Sequence, residues 1–231
     1  MFARPPATVG DRMFFSDRAF EVYRAVPYFL EGVGVTLSVT FLALFLGGFI
    51  GLAAALCRVY GPWPVRGSAA FYSRTIRSLP LLVILFFLYF LGSDFFDLSV
   101  YISMVLALSI HSSAYQEGIF RAGIQSIERG QSEAARALGM TGPQGVLTVV
   151  LPQALRRAVP YWSNEAAIVL KDSSLAYVLG LAELMRRGQY VVARTHQALL
   201  TYLIIGLIYF LLTLLFTRTL SLVEKRVRIP N

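Results

Sequence analysis

The chain has 231 residues and a mass of 25.7 kDa, is 56% hydrophobic but only 15% charged, and has a mean hydropathy of +0.62. Water-soluble domains carry about 25% charged and about 45–50% apolar residues, so this composition excludes a soluble globule, a disordered chain and a disulfide scaffold and leaves a polytopic membrane protein. The net charge of +8 would suggest nucleic acid in a soluble protein; here it reads as orientation charge beside a lipid bilayer, with no nucleic-acid partner.

Asp11, Arg12, Asp17 and Arg18 precede the first apolar run, without the short apolar core or small-residue cleavage site of a removable signal peptide. Residues 1–27 are therefore expected to form a periplasmic segment, and the first span to act as its own targeting signal. Runs dense in Leu, Phe, Val and Ile cover 28–57, 79–93, 98–118, 158–182 and 197–222. Because about 20 residues cross the hydrocarbon layer, these predict five transmembrane helices if some are tilted or short. The fold class expected is all-α, a polytopic helical bundle. In the first span Gly47 and Gly51 form a small-xxx-small face on which another helix can approach closely. The single Cys57 has no partner for a disulfide and no metal-ligand spacing around it, and reads as a small core residue.

Orientation follows from the basic residues. With the N-terminus outside, the inner segments hold Arg58, Arg66, Arg74, Arg77, Arg121, Arg129, Arg136, Arg156, Arg157, Arg218, Lys225, Arg226 and Arg228. The outer segments hold only Arg4, Arg12, Arg18, Arg24, Arg186, Arg187 and Arg194, and the loop with Asp94 and Asp97 has no basic residue. The excess predicts N-out, C-in, with 223–231 as a cytoplasmic tail, although the arginines near 186 pull the other way.

Residues 119–157 do not fit a row of spans. Glu133, Ala134, Ala135, Arg136, Ala137 and Leu138 are good helix formers, Gly139 and Gly142-Pro143 interrupt them, and a second short helix is expected to stop near Leu151-Pro152. Two short helices around a glycine turn predict a compact cytoplasmic knob. Small Ala134 and Ala135 allow close approach to a partner, Glu133 lies near a helix N-terminus where a negative charge is favoured, and Gly139 permits a tight exit.

The third span carries Ser109, His111, Ser112, Ser113, Tyr115 and Gln116, a polar run suited to hydrogen-bonding glue between helices. His111 lacks a partner His or Cys at metal spacing, so no metal site is expected, and His196 reads as a solvated residue near the outer surface. Charged groups within spans cost several kcal/mol on insertion scales and are candidates for function: Glu117, Glu165, Lys171 and Asp172. Glu165 and Asp172 are two helical turns apart and share a face with Ile168 between them. Lys171 and Asp172 also have a purely structural reading, paired with each other, a neighbour or water at the end of the span.

Glu133-Ala134-Ala135, Gly139 ten residues before Val149, and Leu151-Pro152 together resemble the Glu-Ala-Ala loop of permease subunits in binding-protein-dependent ABC importers. The resemblance implies that the 132–152 loop, with Glu133, Ala134, Ala135, Gly139, Leu151 and Pro152, docks on a cytoplasmic ATPase dimer. It further implies a second permease subunit, identical or related, a periplasmic solute-binding protein, and a place in the bacterial inner membrane, with 28–222 as the transmembrane domain. Arg77-Ser78-Leu79-Pro80-Leu81-Leu82 is similar to the Arg-Gly-Thr-Pro-Leu-Leu entrance of the polar amino acid branch, and Ala114-Tyr115 with Arg121, Gly123 and Ile124 to its third-span signature. Asn164-Glu165 and Leu170-Lys171-Asp172-Ser173-Ser174-Leu175 are similar to its fourth-span segment. The implied cargo is histidine, glutamate, glutamine, arginine or an opine. Two departures stand out: Ser78-Leu79 replaces Gly-Thr, and the third-span acid sits one position early, at Glu117 before Gly118. One residue turns a helical side chain by about 100°, so the family role of that acid does not transfer directly to Glu117.

An amino acid leaving water needs partners for its ammonium and its carboxylate. Glu165 or Asp172 can meet the ammonium, while Tyr115, Asn164, Ser173 and Ser174 are pathway candidates for hydrogen bonding. No Gly-x4-Gly-Lys-[Ser/Thr] sequence is present, so the chain is not expected to act as an enzyme or to bind a cofactor itself; ATP and Mg would be used by the partner ATPase. The rival classes are an integral membrane enzyme, for which no His-Glu-x-x-His motif or nucleophile with a base is visible, and a passive channel, which leaves the knob unexplained.

Overall fold

A computed structural model describes residues 9–227, which are helices joined by short turns, with no strand among them. Arg4 and Arg228, both used for the orientation above, lie outside the described residues. A helix coincides with each of the five apolar runs. By length and apolarity alone, Asp17–Tyr60 and Ala198–Arg226 can each cross a bilayer, and the bent pair Trp63–Ser78 with Leu81–Gly92 can supply a third span.

Helix α1 (Val9–Arg24) leads into α2 (Val26–Tyr60), whose 35 residues reach about 50 Å at 1.5 Å per residue. Gly61 and Pro62 end α2, and Pro62 then starts α3 (Trp63–Ser78), a helix that the apolar runs do not reveal because it is short and carries Arg66, Arg74 and Arg77. Ser78-Leu79-Pro80 turns the chain by 101° into α4 (Leu81–Phe96), since the residue before a proline avoids helical backbone. Ser99 caps α5 (Val100–Gln125) by accepting the Ile102 amide at 3.3 Å.

Helix α5 is the central element and packs against α2, α3, α4 and α8. Its approach to α2 depends on the two glycines of the small-xxx-small face. A Cβ on Gly47 would stand 2.9 Å from the Ser109 carbonyl oxygen, and one on Gly51 would stand 2.8 Å from that of Ser113. Both are closer than real Cβ atoms approach backbone, so the expected contact face is present and α5 is what occupies it.

After α5 come α6 (Arg129–Ala137), α7 (Gly142–Gly145), one π-helical turn at Val146–Val150, and α8 (Leu151–Asp172). Gly139 takes φ +80°, the left-handed backbone that glycine adopts without strain, and separates α6 from α7. The second knob helix does not stop at Leu151-Pro152 as expected. Helical backbone continues through it, because a proline in the first turn of a helix lacks only an N–H that need not bond there, and the wide turn before it absorbs the ring. A 3₁₀ segment (Ser173–Leu179), α9 (Leu184–Thr195) and α10 (Ala198–Val227) complete the chain. The helix α10 runs past residue 222, into the segment expected to be tail. Its Leu203, Leu207, Phe210 and Leu215 are exposed, as lipid-facing side chains are.

Three apolar clusters lie along the bundle. Val39, Leu44, Leu85, Met104, Leu108 and Val169 fill the middle. Phe29, Leu184, Val191 and Ile205 join α2, α9 and α10 at one end, and Ala55, Phe120, Ile124, Val150 and Ala154 join α2, α5 and α8 at the other. Cys57, in the last turn of α2, is only half-buried and not a core residue.

Candidate solute cleft and knob

Glu117 is fully buried, and three helices bring guanidinium groups to it. Arg58 from the end of α2 lies 3.3 Å from its carboxylate, Arg121 one turn along α5 lies 3.1 Å away, and Arg77 from the end of α3 lies 3.5 Å away. Arg77 also donates from Nε and Nη2 to the Ala114 carbonyl, and its guanidinium stacks over the Tyr115 ring at 5.3 Å. The sequence marks Arg58 as orientation charge and Arg77 and Arg121 also as parts of family-like motifs, but none of them as a partner of Glu117. Their convergence on one acid needed the bend at Pro80, which returns the end of α3 to α5.

Beside this cluster, between α5 and α8, a cleft of about 740 Å³ is lined by Arg77, Tyr115, Gly118, Arg121, Arg157, Tyr161, Asn164, Glu165 and Ile168, among others. Three of the predicted pathway residues, Tyr115, Asn164 and Glu165, therefore share one space. Glu117 stands behind its wall and does not line it. Glu165 is held by a chain of polar groups: Ser112 donates to its carboxylate at 2.7 Å, Gln116 donates to Ser112 at 3.1 Å, and Trp162 donates to Gln116 at 2.7 Å. Ser112 and Gln116 thus serve as the interhelical glue expected of the third span. The positioning of Glu165 by Ser112 was not foreseen, because residues 53 apart in sequence give no local signal of contact.

The other predicted pathway residues lie beyond the cleft. Lys171 and Ser174 line a separate hollow of about 310 Å³ with Met185, Tyr202 and Tyr209. Ser173 is buried and donates to the Leu170 carbonyl of its own helix, and Asp172 is half-buried beside Lys171. Nearby, Glu183 caps α9 by accepting from the Met185 and Arg186 amides at 2.8 and 2.7 Å and from the Tyr209 hydroxyl at 2.8 Å. Burial pushes its carboxyl above the usual carboxylate range, and these donors oppose that shift. His196 is exposed and ends α9 in left-handed backbone.

At the far end from α9, α6 and α7 form the expected knob. Ala135 is buried against Gly145, whereas Glu133 and Ala134 are exposed. A capping box between Thr141 and Gln144 fixes the start of α7. Pro152 is exposed and Leu151 half-buried where the knob joins α8. Leu138 and Leu147, 79% and 59% exposed, add an apolar surface that the motif did not single out.

Comparison with known proteins agrees with this architecture. The glutamine transport system permease protein GlnP of Escherichia coli strain K12 is 36% identical over 211 residues, covering 90% of this chain and 96% of that one. The arginine transport system permease protein ArtQ of Bacillus subtilis strain 168 is 35% identical over 208 residues, covering 88% and 94%. A crystal structure described as an amino acid ABC transporter with histidines matches with a TM-score of 0.81 at 38% identity, covering 90% of this chain and 97% of that one. The family described as binding-protein-dependent transport system inner membrane component matches residues 43–229. With its bundle, bent α3–α4 pair and projecting knob, the chain belongs to this family of transport-system inner membrane components.

Proposed function

We propose that the chain is the permease subunit of an ATP-driven importer that moves a polar amino acid or a related compound such as an opine across a bacterial inner membrane. The observation that carries this reading is the cleft between α5 and α8. It holds a carboxylate and guanidinium groups in a membrane bundle, the pair of charges that a zwitterion needs on leaving water. Glu165 receives the ammonium, with Tyr115 and Asn164 beside it. Lys171, Asp172 and Ser174 lie farther along α8 and its 3₁₀ extension on the outer approach, while the buried Ser173 braces the backbone there.

The knob is the ATPase contact. Glu133 and Ala134 present a small, charged helix face, Leu138 supplies an apolar anchor, and Gly139, Leu151 and Pro152 set the geometry by which the knob moves as one body with α8. An ATPase dimer that uses ATP and Mg grips two such knobs, one on each of two permease subunits, identical or related, while a periplasmic binding protein delivers solute to the opposite side. Closure of the ATPases then rocks the helices around the cleft. N-out, C-in orientation puts the knob and the C-terminal end of α10 on the ATPase side. The relatives include permeases named for glutamine, for arginine and for glutamate/aspartate, so likeness alone does not choose the cargo.

The test is substrate-stimulated ATPase activity of the reconstituted complex across a panel of amino acids and opines, with the wild-type chain and Gly139→Asp. Stimulation that Gly139→Asp abolishes is expected; ATPase assembly and transport unchanged by that substitution would refute the coupling assignment.

A further inference from the structure

The cleft carries an excess of positive charge that a simple zwitterion does not use. Arg77, Arg121 and Arg157 line it, against the single carboxylate of Glu165. Glu117, buried behind the wall, pairs with Arg121 at 3.1 Å, Arg58 at 3.3 Å and Arg77 at 3.5 Å, so its one carboxylate is shared among three guanidiniums, two of which line the cleft. Counting Arg58 and Glu117 with the cleft leaves the excess unchanged, and Lys171 beside Asp172 adds one charge of each sign farther out.

Arg77 is placed to act on a solute. Its Nε and Nη2 are held by the Ala114 carbonyl, while Nη1 has no hydrogen-bond partner among the described residues. Its contact with Glu117, at 3.5 Å, is the longest of the three ion pairs, and the side chain is 36% exposed. Gly118 makes this position possible: a Cβ there would stand 2.5 Å from Nη2, so the guanidinium occupies the space that any side chain at 118 would fill. Among the described residues Arg157 is tied only to the Ser126 carbonyl and hydroxyl, at 2.5 and 3.5 Å, which leaves its other donors for the cleft. Along α5 and α8 the order is Glu165 and Arg77 deep, then Arg121 and Arg157 toward the knob.

We infer that the cleft selects an amino-acid-derived anion with two carboxylates and one ammonium, a dicarboxylic amino acid or dicarboxylic opine, over neutral and cationic amino acids. The inference rests on the reading of the cleft as the transport path. The ammonium meets Glu165, one carboxylate meets Arg77, and the second carboxylate meets Arg121 or Arg157. A guanidinium matches a carboxylate in a two-point fork, and its attraction strengthens where water is thin. A cationic amino acid would instead bring a second positive group against two guanidiniums.

The test is isothermal titration calorimetry on the permease–ATPase complex in lipid nanodiscs, without a binding protein, using L-glutamate, L-glutamine and L-arginine. Glutamate is expected to bind tightest and arginine about tenfold or more weaker, a difference of about 1.4 kcal/mol. Arg77→Gln should weaken glutamate by about tenfold and glutamine less, and Arg77→Lys should recover part of the loss. Gly118→Asp, which sets a carboxylate against Arg77, should weaken glutamate and strengthen arginine. Arg157→Gln, at the exposed mouth, tests the second carboxylate in case substitution at Arg77 impairs folding. Arginine binding as tightly as glutamate, or a ranking unchanged by both Arg77→Gln and Arg157→Gln, overturns the selection and leaves the transport path standing. No binding of any of the three overturns the path and the selection with it.

Discussion

Glu117 joins three helices through one buried carboxylate, and its three partners are only partly exposed, with side chains at 22%, 36% and 31%. Removing the acid leaves guanidinium groups crowded together in a poorly hydrated corner. Breaking a buried pair in this way costs about 3–5 kcal/mol, and the partial access of the arginines to water places the loss near the lower figure. Glu117→Ala should therefore lower the thermal denaturation midpoint of the detergent-solubilised protein far more than Arg58→Gln, which leaves the acid its other two partners. Equal midpoints for the two variants would show that the cluster does not hold the helices. At this scale the sequence was informative about residue type and silent about pairing. An acid inside an apolar run is conspicuous, and Glu117 and Glu165 were both singled out for that reason. Which of the two faces the cleft depends on helix rotation and on Pro80, and neither is readable from spacing alone.

The α2–α5 crossing belongs to the scale of elements. Gly51→Val would drive a side chain into the Ser113 carbonyl and the Gln116 Cβ, 2.8 and 2.9 Å from where its own Cβ must sit. The helices would have to separate, which loosens Gln116 and with it the chain of donors that ends on Glu165. Gly34 is on the same helix with open space around it, so Gly34→Ala serves as the matched control and should gain slightly from better helix propensity. Membrane-inserted, folded protein measured by fluorescence size-exclusion should fall sharply for Gly51→Val and stay level for Gly34→Ala. The small-xxx-small spacing was legible beforehand, since it needs only residue size and helical period. The helices α1, α3 and α9 were not, because each is short and polar enough to look like a loop and becomes helical through packing against longer neighbours.

At the scale of the whole molecule, the proposed topology places the knob and the end of α10 on one side and α9 on the other. Cys57 is the only cysteine, so a Cys57→Ser background accepts single new thiols. Leu138→Cys and Arg226→Cys should react with a membrane-impermeant maleimide only from the cytoplasmic face of oriented vesicles, and Arg194→Cys only from the periplasmic face. Labelling of Leu138→Cys and Arg194→Cys from the same face would overturn N-out, C-in. The arginines of α9, which pull against that orientation in the sequence, are not all free in the fold. Arg187 pairs with Glu31 at 2.5 Å and stacks on Tyr28, and Arg186 stacks on Tyr190. Charges engaged in this way weigh less in an orientation rule that is counted on free loops.

The sequence by itself determined the solvent, the five apolar runs that are helices, the knob between the third and fourth, and the residue types that carry charge into the bundle. These follow from hydropathy, helical period and the chemistry of single residues, all of them local. Only the tertiary structure decided that α3 turns back at Pro80, that Arg58, Arg77 and Arg121 meet Glu117, and that Glu165 looks across a cleft at Arg77. Those arrangements join residues from different helices, and their energies arise from burial and from charges sharing a poorly hydrated space. Apart from Arg121, one turn from Glu117 on α5, no short window along the chain contains both partners.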